Sequence, residues 1–134
     1  MMKFKLLIIT LFFSYLGFAQ TNKKITSIET VKILNDNTKE AVYYFQNNWK
    51  QLRLRALDNG YIESFQLLET SFSDTTPFHF VLVTTYANKK QFDDREVHFQ
   101  ELIEASGNLK LLNDKKLSEF RKSVFAVDGA KHIE

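Results

Sequence analysis

Three histidines, a spread of carboxylates and no cysteine are the raw material for chemistry in this 134-residue chain. The densest cluster lies in YANKKQFDDREVHFQEL, residues 86–102. On a helix, Asp94 falls one turn before His98 and Glu101 one turn after it, so both carboxylates can reach the imidazole. A carboxylate beside a histidine favours imidazolium and tunes a general acid or base. A metal needs at least a third ligand, and no HxxxH or ExxH spacing supplies one. The same groups also fit a solvated helix flank, with His98 about 100° round from Phe99. Arg95 lies nearer the apolar side, where a guanidinium can grip a carboxylate bidentately or lay its stem over the core edge. His79, between Phe78 and Phe80, would serve as acid, base or axial haem ligand if it turned into an apolar cavity. At the start of a strand it would simply be hydrogen-bonded or partly wet. Ser64, Gln66, Tyr86 and Arg53 are candidates for polar lining of such a cavity. The sequence holds no Gly-rich phosphate loop, no nucleophile elbow and no cysteine nucleophile.

The elements that must carry these groups follow from periodicity. KITSIETVKIL, residues 24–34, reads as a strand. Asn37 with Glu40 three residues on reads as a capping box, opening a helix that runs to about Asn59 and stops at Gly60. Its stripe is Ala41, Val42, Phe45, Trp49, Leu52 and Ala56, with Trp49 read as core. Tyr43, Leu54 and Leu57 fall on the other side, where they offer a contact face. YIESFQLLE, residues 61–69, is a strand with Tyr61, Phe65 and Leu67 on one face and Ile62, Ser64, Gln66 and Leu68 on the other. FHFVLVTTY, residues 78–86, is a strand apolar on both faces, and such a strand is normally covered on both sides. An Asn88–Gln91 capping box opens a second helix to about Ala105, with a stripe of Phe92, Phe99, Leu102 and Ile103 and a stop at Gly107. Residues 107–120 are ambiguous, anchored by Leu109, Leu111 and Leu112, with a short turn of helix near Leu117. RKSVFAV, residues 121–127, is the last strand, and the polar tail from Asp128 is expected to fray.

The N-terminus reads as an export signal. Lys3 and Lys5 precede an apolar run from Leu6 to Leu16, then Gly17-Phe18-Ala19 before Gln20. The run is short for a membrane span, which needs roughly 20 residues. Residues 1–19 are therefore expected to be a signal peptide, and residues 20–134 a single domain, periplasmic or extracellular, with no stable membrane anchor. With no cysteine, neither a lipoprotein anchor nor a disulfide is available. The 18 basic residues include Lys3 and Lys5, so the mature chain balances at 16 basic and 16 acidic. That balance leaves no electrostatic footprint for nucleic acid and no polybasic patch for anionic lipid.

Strand, helix, strand, strand, helix, strand is the order of the ferredoxin-like split βαβ fold, an antiparallel four-stranded sheet with two helices on one face. Four segments, AVYYFQNNWKQLRLRALDNG, YIESFQLLE, FHFVLVTTYAN and KKQFDDREVHFQELI, carry a resemblance to the dimeric α/β-barrel superfamily. The resemblance spans roughly residues 24–127 and selects no family within it. It implies two protomers facing sheet to sheet, with a cavity between each sheet and its helices. The superfamily includes cofactor-free monooxygenases, haem-degrading and haem-binding enzymes, small-molecule isomerases and NIPSNAP-like proteins. A symmetric partner would cover the second face of the doubly apolar strand.

The leading expectation is an exported, non-catalytic homodimer that binds a small apolar ligand or serves structurally. An enzyme or haem-handling protein, with His79 or His98 as acid, base or axial ligand, is the alternative. An interaction subunit docking through Tyr43, Leu54 and Leu57 is the third reading.

Overall fold

The computed structural model describes residues 23–133, so the expected signal peptide, residues 1–19, lies outside the described residues. Strand β1 is Ile25–Ile33 and runs into an Asn35-Asp36 turn, both residues with positive φ, a conformation that Asn and Asp tolerate best among side-chain-bearing residues. A long helical segment follows as α1 (Thr38–Tyr44), a π-helical turn (Phe45–Trp49) and α2 (Lys50–Asp58). Strands β2 (Ser64–Glu69) and β3 (Phe80–Tyr86) precede α3 (Lys89–Asp93) and α4 (Arg95–Ser106). A one-turn helix α5 (Leu117–Phe120) leads into β4 (Arg121–Lys131). The sheet order is β2-β3-β1-β4, antiparallel throughout, which is the ferredoxin-like arrangement expected from the sequence. Among the described residues no helix is long and apolar enough to cross a membrane.

Side-chain parity divides the sheet into two unlike faces. Phe80, Leu82, Thr84 and Tyr86 of β3 point to the helices and are all buried. Val81, Val83 and Thr85 point the other way, and the register sets Val83 beside Ile28 and Gln66, and Val81 beside Thr30 and Leu68. On the helix side the core falls into two clusters. Val31, Ile33, Ala41, Phe45, Phe80, Leu82 and Phe120 form one; Ala56, Ile62, Tyr86 and Leu102 form the other.

Several local expectations change. Asn37 does not cap α1 with its side chain; its amide donates to the Glu119 carbonyl and its oxygen accepts from Lys115 Nζ. Glu40 meets Asn113 and Lys115 instead of the cap, so tertiary contacts outbid the local capping box. Asn88 does cap α3, accepting from the Gln91 backbone at 2.9 Å, while Gln91 Oε1 reaches back to the Ala87 N–H. The second helix is broken at Asp94 into α3 and α4. Ile103, assigned to its apolar stripe, is 48% exposed, because it stands about 100° round the helix from buried Leu102. Leu109, Leu111 and Leu112 do not anchor their loop; all three are exposed, and the loop is tied down by paired hydrogen bonds between Asn48 and Lys110. Phe78 lies ahead of β3 and packs edge-on against Phe125, so the strand parity begins only at Phe80.

The C-terminal tail does not fray at Asp128. It stays in β4 to Lys131, with Lys131 opposite Ile25 and Ala130 opposite Thr26. Asp128 is held by Ser27 and Arg95, and Gly129 lies under the Phe92 ring with φ +93°. A Cβ on Gly129 would stand 3.0 Å from Phe92 Cζ. Gly129→Ala is expected to destabilise the fold by about 1–3 kcal/mol, the range for a side chain forced into such a backbone region. Urea unfolding measures this, and an unchanged midpoint would mean that the tail contributes nothing.

Candidate functional site

The sequence candidates scatter when placed in space. Ser64 and Gln66 sit opposite Thr85 and Val83 on the open face of the sheet, away from the helices. His79 precedes β3, accepts from the Ile33 N–H through Nδ1 at 2.9 Å and stacks on Phe72 at 4.7 Å. Its backbone N–H donates to Val31 O, so His79 fastens the end of β1 to the start of β3. His98 stacks flat on Tyr61, with ring centroids 3.7 Å apart, and its Nδ1 is buried without a partner among the described residues. The neighbouring carboxylates are engaged elsewhere: Lys90 pairs with Asp94, and the Tyr61 hydroxyl donates to Glu101. Leu54 and Leu57 are exposed and Tyr43 is half-buried, so they form no packed core.

Arg53, Tyr86 and Arg95, by contrast, converge on the helix side of the sheet. A cavity of about 290 Å³ opens there, lined by Ser27, Glu29, Trp49, Arg53, Leu82, Thr84, Ala126 and Asp128, among others. Neither His79 nor His98 lines it, so the candidate axial ligands do not fit a haem in this space. No group of three or more metal-capable side chains occurs among the described residues.

Arg53 reaches the cavity because of the π turn. Residues in that wide turn advance by less than the usual 100° each, which rotates the following helix back toward the sheet. Asn47 and Asn48 side chains donate to the Tyr43 and Tyr44 carbonyls, at 2.9 and 3.0 Å, and brace the turn. The Arg53 guanidinium then lies between two rings, 4.5 Å from the Trp49 centroid and 4.2 Å from that of Phe99. Its Nε donates to Thr84 Oγ1 at 3.2 Å. Among the described residues no acceptor takes either Nη, and no carboxylate lies within ion-pair distance. Burial pushes the guanidinium down to about 10, against weaker upward pulls from Tyr86, Glu29 and Tyr44. Such a shift is on the order of 3 kcal/mol of lost preference for the charged form. Each ring face returns about 0.5–2 kcal/mol. Arg53 is still the cation at neutral pH.

The cavity's two carboxylates are already paired. Glu29 accepts from Arg121 at 3.1 Å, and Asp128 from Arg95 at 2.7 Å. Arg95 lies flat on Phe92, 3.9 Å from its centroid, and Phe92 packs edge-on against buried Tyr86. Burial pushes the Tyr86 hydroxyl up, so it stays protonated. Burial also raises Asp128, but the Ser27 hydroxyl and Arg95 outweigh it and hold the carboxylate below its ordinary range.

Trp49, Ser27, Glu29, Thr84 and Asp128 were not singled out as site residues. The signal for four of them was parity. Ser27 and Glu29 share the covered phase of Val31 and Ile33, Thr84 shares that of Leu82 and Tyr86, and Asp128 follows Ala126. Polar groups in core phase mark a place where the core is not closed.

No family model matches the chain, and no curated protein matches it. Two solved structures are similar. HapK from Hahella chejuensis matches with a TM-score of 0.50 and 17% identity, covering 81% of this chain and 92% of its own. A protein assigned to the antibiotic biosynthesis monooxygenases, from Nitrosomonas europaea, matches with a TM-score of 0.41 and 16% identity, covering 81% of this chain and 90% of its own. At 17% identity the likeness to HapK is one of fold alone, the ferredoxin-like α+β fold.

A carboxylate with a depressed folded-state value stabilises the protein above its unfolded value and loses that contribution as pH falls through the folded one. Asp128 is more than half exposed, so its contribution is about 1 kcal/mol or less. Asp128→Asn is therefore expected to lower stability at neutral pH and to converge with wild type below about pH 4. Urea unfolding across that range checks the convergence.

Proposed function

We propose that this protein is an exported, dimeric small-molecule-binding domain whose ligand occupies the cavity between the sheet and its helices. The observation that carries the reading is Arg53: a desolvated cation fixed between Trp49 and Phe99, with both Nη groups lacking an acceptor among the described residues. A half-buried guanidinium beside two rings, with both Nη groups free of protein acceptors among the described residues, can offer those donors to a ligand.

The dimer is supported by the open face of the sheet. Leu68, Phe125 and Val127 are 44%, 48% and 44% exposed there, beside half-buried Ile28, Val81 and Val83. A continuous apolar face of this kind calls for cover, and a second copy supplies an identical one. Export is supported by the basic, apolar and small-residue succession of residues 1–19.

Light scattering is expected to give twice the protomer mass at micromolar concentration, and Phe125→Asp is expected to give the protomer mass. A wild-type monomer would sink the dimer. In a secreting host, intact mass is expected to place the mature N-terminus at Gln20; retention of residues 1–19 would refute export. Trp49 is the sole tryptophan and lines the cavity, so its emission reports occupancy. A panel of one- and two-ring compounds is expected to change that emission saturably; a panel with no effect would leave the cavity without a ligand-binding role.

A further inference from the structure

Resting on the reading that this cavity is the ligand site, the charges around it narrow the ligand class. Glu29 and Asp128 line the cavity but already have cationic partners, Arg121 and Arg95. Arg53 has none among the described residues. Of the three arginines around the cavity, Arg53 is thus the one without an ion-pair partner among the described residues. The Trp49 and Phe99 rings lie 4.5 and 4.2 Å from the guanidinium carbon, and Thr84 takes Nε. What is left is the outer edge, where Nη1 and Nη2 present the parallel N–H pair that matches a carboxylate.

We propose that the cavity binds a small planar monoanion, a carboxylate carried on an aromatic or conjugated ring, with the carboxylate on the Arg53 fork and the ring against Trp49, Leu82 and Ala126. The volume, about 290 Å³, sits at the low end of the range for ligand sites, which suits a one- or two-ring acid. A phosphate dianion fits less well, because one guanidinium meets only one of its charges and the nearby carboxylates repel the other. Desolvation strengthens the fit: the same low-dielectric setting that disfavours an unpaired guanidinium favours it once an anion is paired with it.

Benzoate and its neutral counterpart benzyl alcohol form the test, titrated against the purified protein by Trp49 emission and by calorimetry. Wild type is expected to bind benzoate at least about tenfold tighter than benzyl alcohol, as hydrogen bonds to a charged group allow. Arg53→Met is expected to abolish the preference, so that benzoate and the alcohol bind that variant with equal affinity. Arg53→Lys, which keeps the charge without the fork, is expected to fall between them. Equal binding of the two probes by wild type would overturn the monoanion proposal while leaving the cavity as a ligand site. Undiminished benzoate binding by Arg53→Met would do the same. Binding of neither probe would overturn both readings. Should Arg53→Met fail to fold, the wild-type comparison decides alone, because it needs no variant.

Discussion

The hydrogen bond from Arg53 Nε to Thr84 Oγ1 organises the helix side of this molecule. Along β3 the buried face reads Phe80, Leu82, Thr84, Tyr86. Leu82 belongs to one apolar cluster and Tyr86 to the other, and Thr84 lies between them. A valine there would merge the clusters into a continuous core. Threonine instead accepts from a guanidinium, and that guanidinium needs room, aromatic faces and some access to water. The cavity is the space this requirement leaves. The π turn ahead of Arg53 and the Asn47 and Asn48 amides that brace it serve the same end, since they rotate the helix so that the arginine faces β3.

How much of this was legible in the sequence depends on the kind of signal. The strands of FHFVLVTTY and KITSIETVKIL, the Asn88 cap and the stops at Gly60 and Gly107 were readable because each is local: alternation, a side-chain acceptor, a positive φ. The order of elements then left the ferredoxin-like topology. The Asn37 capping box was equally local on paper, yet the loop carrying Lys115 and the end of α5 compete for its atoms. That competition is set by contacts some 80 positions away, which no local pattern encodes. The tail was misread for the same reason. Asp128 and Gly129 look like a polar end, and become strand because Ser27, Arg95 and Phe92 meet them.

The site was harder still. The densest charged cluster, around His98, dissolved into helix-surface pairings and a stack on Tyr61. Histidine drew attention because its chemistry is versatile, whereas the unusual environment belongs to Arg53. A template of 100° per residue keeps Arg53 at the edge of the stripe, and only the wide turn brings it inward. Polar residues in core phase on two strands were the better guide, because a buried hydroxyl or carboxylate must have a partner. Asking what Thr84, Ser27 and Glu29 pair with leads to Arg53 and Arg121 or to Asp128 and Arg95.

The two faces of the sheet can then be compared as solutions to one problem. On the open face Leu68, Phe125 and Val127 leave apolar area in water, a debt that another surface can settle and that gains from any cover of similar shape. On the helix face the unmet demand is electrostatic and directional. Ring stacking offsets part of the desolvation of Arg53, and the remainder can be recovered only by an acceptor at the edge of the guanidinium. Apolar cover is generic and suits a large, flat, symmetric contact. A single guanidinium fork is selective and suits one small group at a fixed place. On the proposed reading, the chain separates association from recognition by strand parity, with odd and even positions of the same β3 strand facing different sides of the sheet.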